Sequence, residues 1–142
     1  MSADGVSQDR ASALSEALLA ELAASTEVQS LLGKPARLYT ESSRGASYPY
    51  VLLERHETSD ASASMAPASE HVLQFASFSR HGGLAEAKSI LGALRTAVET
   101  LPKALAGQRI VLVLPFYCDA MRTQNPLIFR GVLRVRLYTE EL

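Results

Sequence analysis

The sequence has no tryptophan, a single cysteine and a net charge of only −1 over 142 residues. Each shortage removes a class of protein. One thiol, Cys118, can make no internal disulfide and no multi-cysteine metal site, so the fold must rest on apolar burial. The balance of 14 basic against 15 acidic residues lacks the basic excess of a dedicated duplex binder. Long apolar runs are missing too. The run Ile110 to Pro115 falls far short of the roughly 20 residues a spanning helix needs, so no membrane partner is expected. Met1 to Arg10 is polar and carries no apolar signal core. The expected setting is a reducing bacterial cytoplasm, or a particle assembled there.

What is present suits a self-sufficient core. Hydrophobic residues make up 47% of the chain, and its length fits one domain of about 100–200 residues, expected to span 1–142. Residues 1–8 are polar and read as a loose start. From about Asp9 to Ala24, Leu14, Ala17, Leu18 and Leu22 fall on one helical stripe. Thr26 to Gln29 fits a capping box, and a short second helix should end at Gly33-Lys34-Pro35. Ala36 to Tyr39 and Tyr48 to Leu53 read as strands, with Pro49 at the start of the second, where a missing N–H does least harm. His56 to Ser69 is rich in Ser, Ala and Thr, and reads as a long mobile loop or hairpin tip. His71 to Arg80 is a strand candidate. Leu84, Ala87, Leu91, Leu94, Val98 and Leu101 mark a helix that Pro102 closes.

Two strands finish the chain. Arg109 to Cys118 is apolar on both parities between Ile110 and Leu114, the pattern of a central strand covered on both faces. Leu127 to Thr139 alternates, with Leu133, Val135 and Leu137 on one side and Arg130, Arg134 and Arg136 on the other. The order predicts an α+β fold. It consists of a mainly antiparallel sheet of four to five strands, an N-terminal helical segment, and one long helix packed on one face.

The usual catalytic signatures are missing. Gly33-Lys34-Pro35 lacks the glycine loop of a phosphate-binding motif, and no G-x-S-x-G elbow occurs. His81-Gly82-Gly83 reads as a strand-to-helix turn. His56, His71 and His81 have no metal-ligand spacing. In one extended strand His71 and His81 would stand roughly 33 Å apart, at about 3.3 Å per residue. Structural or surface roles are expected for all three, no cofactor or metal is implied, and Cys118 is expected to be a buried, inert thiol. Glu140-Glu141 reads as a solvated terminal cluster.

The arginine row on the last strand stands out. Like charges at this spacing repel, so Arg130, Arg134 and Arg136 need water or carboxylate partners. Three readings stay open: a solvated sheet face, a subunit seam where each planar guanidinium meets a neighbour's carboxylate, or contact with DNA phosphates. The strand before it adds to this. If the helices cover Ile110, Leu112 and Leu114, then Val111 and Val113 need some other cover, and exposed apolar area of that kind marks an interaction surface.

Several segments in order carry a resemblance. They are Leu31-Leu32-Gly33-Lys34-Pro35-Ala36-Arg37-Leu38-Tyr39, Gly45-Ala46-Ser47-Tyr48-Pro49-Tyr50-Val51, His71 with its strand, Ala85-Glu86-Ala87-Lys88-Ser89-Ile90-Leu91, and Phe129-Arg130-Gly131-Val132-Leu133-Arg134. Together they cover most of residues 30–140. The chain resembles the tail completion or tail terminator proteins of siphophages, prophages and gene transfer agents. It departs in having Phe78 where the family commonly has tryptophan, and in the low charge of the 56–69 segment. These motifs are structural, so no catalytic residue carries over and no enzyme is expected.

The resemblance implies a hexameric ring at the head-proximal end of a tail tube. Such a ring ends tube polymerisation and joins the tube to the head connector or stopper protein, with DNA as transiting cargo in the bore. A head-to-tail contact between copies closes into such a ring when the rotation permits. Within this picture Arg130, Arg134, Arg136, Val111 and Val113 are expected at the protomer seam. Ser59, Ser62 and Met65 are expected in a loop that orders on assembly. The alternatives are an assembly chaperone absent from the finished particle, another protein-interaction module, and, least supported, a small enzyme.

Overall fold

The structure is a computed structural model that describes residues 3–41, 45–62 and 67–142, with side chains of the first helix from Arg10 onward. Two helices lead the chain, α1 (Ala3–Ala24) and α2 (Thr26–Leu32). The strands are β1 (Leu38–Tyr39), β2 (Tyr50–Asp60), β3 (Ala68–Ser79), β4 (Ala104–Leu105), β5 (Gln108–Arg122) and β6 (Phe129–Glu141), with helix α3 (Gly83–Glu99) between β3 and β4. They form one six-stranded sheet in the order β1-β2-β3-β6-β5-β4. The pairs are antiparallel except β1 with β2, which is parallel. The α+β class stands as expected. The sheet gains one strand, β4, whose two residues are too short to leave a periodic signal, while the strand expected over Ala36 to Tyr39 shortens to β1 and brings the parallel pair.

The helices cover one face of the sheet. α3 lies across β3, β6 and β5 and presents Ala87, Ile90, Leu91, Leu94 and Val98, all buried. Leu14, Leu18 and Leu22 of α1 and Val28 and Leu32 of α2 are buried as well. The sheet answers with Val51, Leu73, Phe75, Leu133, Val135 and Leu137. Burying a side chain of this size is worth about 1.5–3 kcal/mol. Gly131 lets α3 come this close. A Cβ there would stand 2.5 Å from Ser77 Oγ and 3.0 Å from Leu91 Cδ1.

Several boundaries move. α1 begins at Ala3, inside the stretch expected to be a loose start, although Asp4, Gly5 and Ser7 there are weak helix formers. The cap of α2 is Ser25, whose Oγ accepts from the Val28 N–H at 3.4 Å, and not Thr26. Gln29 donates instead to the Ala23 carbonyl at 2.9 Å, so the reciprocal capping box does not form.

The 56–69 segment is a hairpin end, as one of its two readings had it, but the strands run much further into it than expected. Residues 56–60 belong to β2 and 68–69 to β3, paired from His56 opposite Leu73 to Asp60 opposite Ser69. Their low strand propensity is overridden by the neighbouring strand. Ser62 then clasps the hairpin: its N–H donates to Asp60 Oδ1 at 2.9 Å, and its Oγ accepts from the Ala68 N–H at 3.0 Å.

Candidate assembly surface

The face of the sheet away from the helices carries the arginines, and each finds a partner inside the chain. Arg130 Nη2 donates to Glu54 Oε1 at 2.6 Å, and Gln74 Nε2 donates to the same oxygen at 2.9 Å. Arg134 Nε donates to Gln74 Oε1 at 2.8 Å, and its guanidinium stacks 4.6 Å over the Tyr117 ring. Arg136 Nε lies 2.8 Å from Glu70 Oε1, an ion contact lacking hydrogen-bond geometry, and its guanidinium sits 4.9 Å over Phe116. Repulsion along the row is thus relieved by carboxylates from β2 and β3 and by aromatic faces from β5. None of these partners is near the arginines in sequence.

β5 departs from the expected pattern. Its register shifts between Ile110 and Leu112 and again between Pro115 and Tyr117. Each bulge inserts a residue and flips the parity that follows. Ile110 and Val113 therefore face the core, while Val111, Leu112, Leu114 and Phe116 are exposed. The doubly apolar run does not mark a central strand. It marks a strand near the sheet's margin with two parity changes. Val113, expected beside Val111, packs on the core instead. Cys118, expected to be buried, is exposed. Glu140 and Glu141 are not a free cluster: Glu140 Oε2 takes Arg109 Nη2 at 2.8 Å, and Glu141 pairs with Arg10.

At the other margin Ser59 is exposed on β2, opposite Glu70. Ser62 is held in the clasp at the hairpin end, and Met65 lies outside the described residues. Tyr39, Tyr48, Tyr50 and Phe78 cluster here, with Tyr50 stacked on Phe78 at 5.1 Å and tilted to Tyr48 at 5.3 Å.

Sequence reasoning missed a buried polar chain on the helix-covered side, because His56 was placed in a loop. Register puts His56 beside Leu73 and His71 beside Thr58, and the two imidazoles meet with Nε2 of His56 2.8 Å from Nδ1 of His71. Thr139 spends its one proton on Gln108 Oε1 at 2.9 Å, so it must accept from His71 Nε2 at 3.1 Å. The neutral His71 then accepts at Nδ1, and His56 donates. Gln108 Nε2 ends the chain on the Arg10 carbonyl at 3.5 Å. Burial, with the charge His56 would carry, pushes the His71 pKa down to about 4, and burial lowers that of His56.

A cleft of about 1110 Å³ opens beside this pair, between the turn of α1 at residues 10–15 and the β2–β3 hairpin, with Thr58, Ser59 and Ser69 among its lining residues. With both nitrogens of His71 engaged, the histidine has no free position with which to serve a neighbouring serine as base. Among the described residues no group of three His, Cys, Asp or Glu side chains could hold a metal ion. Nor is any described helix long and apolar enough to cross a membrane.

The family model described as tail completion protein gp17 matches residues 16–140. A chain from the virion of a native gene transfer agent particle is similar in fold, with a TM-score of 0.80 and 24% identity over 92% of this chain and 96% of that one. The bacteriophage SPP1 gp17 protein is also similar, with a TM-score of 0.57 and 16% identity over 89% of this chain and 88% of that one. At these identities both likenesses concern the fold. No curated protein matches the sequence significantly.

Proposed function

This chain belongs to the tail completion protein gp17 family, and from that premise we propose that it is the subunit of a ring closing the head-proximal end of a phage-like tail tube. Its role is structural, in a viral tail and in virion assembly. The finer reading is ours: six copies close head to tail, one ring face ends tube polymerisation, and the other docks the head connector. Assembly takes place in the bacterial cytoplasm. DNA passes through the bore as cargo, and a near-neutral chain suits that passage, because many phosphate contacts would hold the DNA in place.

The observation that carries this reading is the apolar margin of β5. Leu112, Leu114, Phe116, Tyr117 and Met121 are all more than two-fifths exposed on one strand. A contiguous apolar strip of that kind is what an assembling protein leaves for a neighbour. A stable seam needs about 1,000 Å² or more of well-fitted contact. In this reading Arg130, Arg134 and Arg136 keep their internal partners and brace the aromatic side of the seam, and Val111 joins it. Ser59 and Ser62 lie at the opposite margin, and the hairpin they help to close settles against a neighbour on assembly.

Deleting the gene tests the reading by electron microscopy. Filled heads beside unattached tails of irregular length are expected, whereas joined particles of normal form would reject it. Mass spectrometry of purified wild-type particles separates the ring from an assembly chaperone, which would be missing from them.

A further inference from the structure

The two margins of the sheet are unlike each other, and they complement one another. β4 pairs only with Gln108 and Arg109, and the Ile110 N–H reaches the Lys103 carbonyl at 2.7 Å. From Val111 to Arg122 the outer side of β5 has no strand beside it among the described residues. β1 likewise pairs only with Val51 and Leu52, which leaves the outer side of β2 without a strand neighbour from Leu53 to Asp60 among the described residues.

Charge divides the same way. On the face away from the helices, β2 and β3 carry Glu54, Glu57 and Glu70 against Arg55, an acidic excess. On that face β6 and β5 carry a basic excess, Arg109, Arg130, Arg134 and Arg136 against Asp119 and Glu140. Apolar matter is unequal too: an exposed aliphatic and aromatic strip at β5, and a tyrosine cluster at β1 and β2.

Strand direction makes the two margins fit in one way. β2 runs with β6, and β3 runs with β5. A second copy set beside β5 in the same orientation therefore brings its β2 antiparallel to β5. The rows of the sheet then put Arg55 level with Tyr117, Ser59 level with Leu112 and Tyr50 level with Met121. Pro115 has no N–H to give, and the two bulges break the line of donors, so continuous strand addition is blunted and side chains make the contact.

We propose that the β5 margin of one copy is covered by the β1–β2 margin of the next, both facing the same way. The proposal rests on the ring reading and names its seam: tyrosine-rich on one side, aliphatic and aromatic on the other. Glu54 and Glu70 stay with Arg130 and Arg136 inside the copy, so the acidic and basic excess orients the approach and does not bridge the seam. Such a contact is heterologous, and each copy keeps one unused margin of each kind until the circle closes.

The exposed Cys118 on β5 supplies the test. Particles are purified from hosts carrying Arg55→Cys or, separately, Glu54→Cys, both at the row of Tyr117 beside Cys118, and treated with a short bismaleimide cross-linker. Blotting before treatment shows whether the chain is in the particle. The expected result is a ladder of covalent dimers, trimers and higher multimers from at least one variant. It should be lost when Cys118→Ala is added and absent when Cys118 stands alone. Efficient dimers from Cys118 alone, stopping at two, would mean that β5 meets β5, and would overturn the proposal while leaving the ring. Particles that contain the chain but yield no ladder from either variant would overturn it as well. Particles lacking the chain would remove the seam and the ring together, and the blot tells that outcome apart.

Discussion

The two faces of the sheet are built from the same strands by different means. Under α3, side chains such as Phe75, Leu94 and Leu133 are fully or almost fully buried, and each position is defined by the volume around it. On the opposite face Arg130, Arg134 and Arg136 are held by hydrogen bonds to Glu54 and Gln74 and an ion contact to Glu70, and stand partly in water. Stability therefore lives on the first face, and the second is free to serve contact with neighbours.

The largest expected effect tests the buried face. Phe75→Ala leaves a hole between α3 and the sheet and should cost about 3–5 kcal/mol, read as a lower urea midpoint of the purified chain. A loss below about 1 kcal/mol would mean the core is not packed here as described. Gly131→Ala comes next. The added methyl must push Ser77 or Leu91, and overpacking of this kind costs typically about 1–3 kcal/mol.

The histidines give a smaller, pH-dependent effect on the same face. The His71 pKa is lowered on folding to about 4, so the unfolded chain takes up a proton before the folded chain does. The contribution is fully present above the ordinary value of 6.5 and is lost progressively as the pH falls from there to about 4. Melting temperature should fall over that window, and His71→Asn should flatten the slope there. An unchanged slope would show that His71 already protonates freely.

The smallest effect is on the outer face. Leu114→Ser should leave monomer stability within about 0.5 kcal/mol, as exposed substitutions usually do, while removing the chain from particles. A large loss of stability would erase the distinction between the faces.

The legible parts of the fold were those where one chemical rule acted alone. α3 was readable because its apolar residues keep a helical period, and β6 because inner leucine and valine alternate with outer arginine. β5 was misread because two bulges change its parity, and a bulge is a property of the pairing rather than of Val111 or Phe116 themselves. The strand ends around Ser59 and Ser69 were hidden for a related reason, since serine and alanine hold a strand there only through the neighbouring strand. The arginine row was visible, but its partners were not. Glu54 and Glu70 reach it across registers that only the folded sheet defines. The His56–His71 contact was invisible on the same ground.

The row of hydrogen bonds from His56 to the Arg10 carbonyl also limits how the molecule can be changed. Every member but the last passes a hydrogen in the same direction. A designer could therefore trim either terminus of the relay, whereas exchanging a middle link such as Thr139 for a residue with no hydroxyl would strand a donor above it and an acceptor below. Redesign of this relay is free at its extremities and constrained at its centre.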